Sequence, residues 1–109
     1  MINFPEKLLW TVQRGSALVI FIFLIWLVIS INSIEIQNYY DTLEWINRDY
    51  NSILLFILSV FILFHSNLGL SVIIDDYVHN PNYKKIFFIA KNSFTLISMM
   101  FSGICLYLI

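Results

Sequence analysis

The chain has 109 residues, 60% hydrophobic, 17% aromatic and only 12% charged, with a formal net charge of −1. Together with a mean hydropathy of +0.81, this excludes an ordinary soluble domain, and a near-zero charge without a basic run excludes a nucleic-acid partner. One cysteine, Cys105, excludes a disulfide framework and a Cys-rich metal or iron–sulfur site, and it reads as a small packing residue.

A hydrocarbon core of about 30 Å takes roughly 20 apolar residues as helix. Residues 15–34, 52–74 and 86–109 meet that length. The expected fold is an all-α integral membrane protein with three transmembrane helices, its chemistry confined to the bilayer because no soluble catalytic domain fits in what is left. The tail 1–14 carries Glu6, Lys7 and Arg14, with Trp10 as an interfacial anchor. The first apolar run is too long for a signal-peptide core, so insertion through the chain's own spans is expected.

The connection 35–51 sets Glu35, Asp41, Glu44 and Asp49 against Arg48, among Tyr39, Tyr40, Trp45 and Tyr50, and residues 41–46 suit a short amphipathic helix on the membrane surface. In the connection 75–85, Pro81 should end any continuation of the second helix. His79 and Asn80-Pro81-Asn82 read as an interfacial loop. Lys and Arg number two in the tail, one in the first connection and three around the second if Lys91 snorkels outward. The positive-inside rule then puts the N-terminus and second connection on the inner side and the C-terminus outside. Alanine occurs only at Ala17 and Ala90, while Ile and Asn abound; this usage suits an organelle-encoded subunit. The expected location is the mitochondrial inner membrane, with a bacterial inner membrane as the alternative.

Within the second span His65 is an ionisable side chain deep in apolar sequence, where imidazoles usually face a bundle, a cavity or a cofactor. Eleven residues make about 20° more than three full turns and rise roughly 16 Å, so Asp76 projects from nearly the same face as His65 at the inner interface, next to Tyr77. Gly69, one turn from His65, lies on that face as well. A glycine there leaves room for a flat macrocycle, and neutral imidazole is a good axial ligand for haem iron. The same two residues equally suit close helix packing, with His65 as a hydrogen-bonding partner. Tyr77 reads either as an aromatic-belt residue or as a phenol donating to a quinone carbonyl; Asp75 and Asp76 read as solvated acids or as a coupled pair able to relay a proton. Arg14 reads as an orientation charge or as a partner for an anionic cofactor group. Ser59 and Ser66, like Ser98 and Ser102, are spaced as helix-packing seams.

The pattern His65-Ser66-Asn67-Leu68-Gly69, with Asp76-Tyr77 eleven and twelve residues after the histidine, resembles the cytochrome b small subunit of succinate dehydrogenase, the D-type membrane anchor of respiratory complex II. Arg14-Gly15-Ser16-Ala17-Leu18-Val19 is similar to the start of that family's first span. The Ser-x-x-His-Arg motif of the other, C-type anchor is absent, since Ser16 is followed by Ala-Leu-Val. The resemblance implies that His65 is one axial ligand of haem b, with Gly69 giving clearance, and that Arg14 approaches a haem propionate. Tyr77 would hydrogen-bond ubiquinone, supported by Asp76. The implied partners are the C-type anchor, which supplies the second histidine, and the iron–sulfur and flavoprotein subunits on the inner face, where succinate is oxidised. The chain would thus be part of a hetero-oligomeric helix bundle in membrane lipid, non-catalytic by itself. Pro81 falls four residues after Tyr77, a residue later than in some relatives, and the first connection is unusually aromatic and acidic. The residues alone also allow a structural or assembly subunit of another membrane complex, with no redox site of its own. A small transporter is disfavoured because the first and third spans offer mainly Ser, Asn and Thr.

Overall fold

The structure, a computed structural model, describes residues 6–32, 38–48 and 50–109. The expectations for the tail before Glu6, for Glu35 and for Asp49 lie outside the described residues. The described residues form four helices in order: α1 (Glu6–Asn32), α2 (Tyr39–Asn47), α3 (Asn51–Tyr77) and α4 (Pro81–Leu108). Among the described residues there is no strand, and α1, α3 and α4 are each long and apolar enough to cross a membrane. Large apolar side chains such as Phe21, Ile29, Ile97 and Phe101 stand exposed along them. This reversal of soluble packing is what a lipid or partner-helix environment allows.

The helices run past the apolar runs. Residues 7–14 contain neither Pro nor Gly, so α1 is helical well ahead of residue 15. At the other end of α3, Asp75, Asp76 and Tyr77 still belong to the helix, which closes with the Val78 N–H donating to the Ile74 carbonyl. The turn after it is short because Asn80 caps α4, its Oδ1 accepting from the Asn82 N–H, and Pro81 takes the first helical position, where its missing N–H costs nothing.

The short amphipathic stretch forms α2. Asn38 caps it by accepting from the Asp41 N–H, and an exposed Arg48–Glu44 ion pair spans its last turn. Trp45 is buried against Trp26 of α1, ring centroids 6.1 Å apart. The Asn51 amide donates to the Trp45 carbonyl at 2.7 Å, and the Asn47 amide reaches the Ile109 carbonyl at 3.3 Å. These contacts bring α2, the start of α3 and the end of α4 together at one end of the molecule.

The three long helices form a row with α3 in the middle, packed against α1 on one side and α4 on the other; among the described residues α1 and α4 do not pack on each other. The α3–α4 seam is antiparallel, pairing Ser59 with Ser102, Asn67 with Lys91 and Thr95, and Asp75 with Lys84. Toward the N-terminal half of α3 the Ser59 hydroxyl donates to the Phe56 carbonyl, so Ser102 is the donor in the 2.7 Å contact between the two serines. Gly103 lets the Phe56 ring lie on α4: an added Cβ would stand 3.1 Å from the ring edge.

Lys91 corrects the expectation that it snorkels outward. Its ammonium is turned into the seam, leaving the residue 8% exposed, and it donates to Asn67 Oδ1 and Asn92 Oδ1, both at 2.9 Å, while sitting 4.8 Å from the Phe88 ring centroid. Amide oxygens from the facing helix and from the next residue of α4 give the charge acceptors within the seam, which removes the need to reach water.

Candidate functional site

The opposite side of α3 carries the sequence-predicted site. His65 lies fourteen residues from the start of α3 and twelve from its end, near the middle of the span. Two residues from Asn67, it points about 200° away from the Lys91 cluster, toward α1. There its Nδ1 meets the Ser16 hydroxyl at 2.9 Å, a contact across 49 residues of sequence. Ser16 Oγ is in turn 2.8 Å from the Gln13 backbone oxygen.

One turn from His65, Gly69 borders open space: a Cβ built there meets nothing within 4 Å, and the same holds at Gly15, next to Ser16. A planar group needs such a patch beside its axial ligand, and a Cβ with its extensions would fill it. Imidazole nitrogen is a suitable haem-iron donor. The residues present therefore fit a b-type haem on both counts, donor chemistry and clearance. Among the described residues no three His, Cys, Asp or Glu side chains gather as a metal site.

Arg14 is exposed on α1, its guanidinium carbon 5.3 Å from the Trp10 ring centroid. It follows the interfacial tryptophan by one turn and precedes Ser16 by two residues. The guanidinium–ring distance is within the range of a cation–π contact.

At the C-terminal end of α3 the two acids separate. Asp75 pairs with Lys84 of α4 at 3.4 Å, whereas Asp76 is exposed on the His65 side. Tyr77 is 79% exposed, and among the described residues neither Asp76 nor Tyr77 has a hydrogen-bond partner. The structure therefore groups His65, Gly69 and Ser16 at mid-span and leaves Asp76 and Tyr77 as an unpartnered acid and phenol three turns away. A single row of three helices cannot enclose either place by itself, so both open on the side where a further helix would pack.

Sequence reasoning treated Ser16 only as a small residue after Arg14. The available signal was its depth, ten residues into α1 against twelve from the end of the antiparallel α3. The Lys91 cluster was missed too. Its signal was the pair Lys91-Asn92 with Thr95 one turn later on α4, and Asn67 in the facing span.

These features define the class: a multi-pass α-helical membrane protein with a polar site on one side of its central helix. The family model for the succinate dehydrogenase/fumarate reductase transmembrane subunit matches residues 5–100. The chain belongs to this family, and its role is that of a membrane anchor, associated with the other subunits of such a complex. No curated protein and no solved structure matches the chain.

Proposed function

We propose that the chain is the D-type anchor of a succinate dehydrogenase, helping to hold haem b and ubiquinone where electrons from succinate oxidation reach ubiquinone. The observation that carries this is a mid-span histidine beside an open glycine patch in a chain of this family. His65 supplies one axial ligand, and the C-type anchor supplies the other. Gly69 keeps the face clear. Arg14, already held over Trp10, turns its free N–H groups to a propionate. Bound haem supplies a one-electron centre within the membrane.

Tyr77 donates its phenolic hydrogen to a carbonyl of ubiquinone at the inner end of α3. Asp76, on the same exposed edge, orients that substrate end and passes protons from water, since reducing a quinone consumes two. Asp75 is occupied by Lys84, which leaves Asp76 as the acid of the pair open to this work. The flavoprotein and iron–sulfur subunits sit on this inner face. With Lys91 withdrawn into the seam, Lys7, Arg14, Lys84 and Lys85 still outnumber Arg48, which supports an inner N-terminus. The membrane is the mitochondrial inner membrane, or in the alternative a bacterial one.

The test is purification of the complex in mild detergent, with mass spectrometry and a reduced-minus-oxidised spectrum. Flavoprotein and iron–sulfur partners with a b-type band are expected; partners of another kind would refute the reading. In the same preparation Tyr77→Phe should lower quinone reduction at least about tenfold while leaving succinate oxidation by a water-soluble acceptor unchanged. Unchanged quinone kinetics would favour a structural subunit.

A further inference from the structure

Ser16 has no part in the function proposed above, yet it is only 5% exposed, and its hydroxyl is the group that His65 touches. The oxygen lies 2.8 Å from the Gln13 carbonyl oxygen and 2.9 Å from His65 Nδ1. A hydroxyl has one proton to give, and a carbonyl can only accept. If Ser16 gave its proton to Nδ1, two oxygens would face each other at 2.8 Å with no hydrogen between them. Both contacts are satisfied at once only when Ser16 donates to Gln13 and the imidazole Nδ1–H donates to Ser16. A neutral imidazole carries one N–H, so the lone pair is then on Nε2, the nitrogen that does not face Ser16.

We infer that Ser16 is a positioning residue for His65: it holds the imidazole as the Nδ1–H tautomer and fixes the ring so that Nε2 presents its lone pair to a haem iron. The inference rests on the haem reading. In the other tautomer the lone pair would point into the α1–α3 interface and Nε2 would carry a hydrogen, which prevents coordination. The bond also draws positive character toward Nδ1 and makes Nε2 a stronger donor, as outer hydrogen bonds to metal-bound histidines do. A stronger donor favours ferric over ferrous iron. Ser16 thereby sets the reduction potential as well as the ring orientation, and it does so from α1, whereas the ligand is on α3.

The experiment compares Ser16→Thr with Ser16→Val in the purified complex. The two side chains have nearly the same shape and differ in the hydroxyl, so any crowding from the added branch is common to both. The readouts are the midpoint potential of the b-type centre and its low-spin ferric electron paramagnetic resonance signal. Thr is expected to keep the wild-type potential and signal. Val is expected to weaken the ferric preference about tenfold, a rise of ~59 mV for a one-electron couple, with a broadened or displaced signal; loss of haem in Val alone supports the inference equally. Thr and Val both keeping the b-type centre with the same potential and signal overturns it. Should both lose haem through crowding, Ser16→Ala decides: a raised potential supports the assignment and a wild-type potential overturns it. A wild-type complex with no b-type centre would remove the haem reading itself, and the Ser16 assignment with it.

Discussion

The two sides of α3 use the same kinds of residue to opposite ends. Toward α4, Asn67, Lys91, Asn92 and Thr95 bond one another, Ser59 meets Ser102, and Asp75 meets Lys84. Toward α1, among the described residues, there is one polar contact, His65 with Ser16, and then open space at Gly69 and Gly15. Polar side chains within a membrane are costly unless their donors and acceptors find partners. On the α4 side these groups find them inside the chain, so that seam is a joint. On the α1 side one nitrogen of His65 is bonded, the other has no partner among the described residues, and Gly69 one turn away borders open space, an arrangement that suits the proposed ligand site. Glycines mark the same division: Gly103 is filled by Phe56, whereas Gly69 is bordered by nothing.

The largest expected effect is at the open glycine. Gly69→Leu puts a side chain into space that this chain leaves empty, in a helix where Leu is about 0.8 kcal/mol better than Gly. The variant should assemble with its partners and lose the b-type band. A variant with a full band would show that the open space is not used, and the two sides of α3 would then differ only in packing.

Asn67→Leu tests the joint. It removes one of the two amide oxygens that receive the buried ammonium of Lys91, and hydrogen bonds to charged groups are worth about 1.5–3 kcal/mol. A loss of about 2 kcal/mol in thermal stability of the purified complex is expected on that scale, with the haem spectrum unchanged. A shifted spectrum with unchanged stability would contradict the division of labour. The smallest effect is expected at Gly103→Ala. The new methyl meets the edge of the Phe56 ring at 3.1 Å, a side chain that is 38% exposed and has room to move. The gain in helix propensity offsets that contact to within about 1 kcal/mol, and a larger loss in a melting curve would show that the seam cannot give.

The spans and the stripe that carries His65 were legible in the sequence. The three spans followed from length and apolarity, and a period of 3.6 residues put His65, Gly69 and Asp76 on one stripe of α3. The short helix at residues 39–47 was visible in its mix of aromatic and acidic residues. What could not be read was the neighbour of each face. Periodicity orders residues around one helix, whereas a membrane helix that is apolar nearly all round gives no preferred side. The direction of Lys91 was missed for that reason: a lysine near an interface can reach water or a facing amide, and only the register of α3 against α4 places Asn67 within its reach. The hydroxyl of Ser16 depended in the same way on the register of α1 against α3.

The central claim is that His65 is left free to bind rather than to pack. The most direct measurement is the reduced-minus-oxidised spectrum of the complex carrying His65→Ala, recorded with its melting curve beside the wild type. Binding predicts that the b-type band is lost while the partner subunits remain attached and the seam between α3 and α4 stays intact. A band of wild-type height and position in the variant would contradict the account and return His65 to the helix interface as a packing residue.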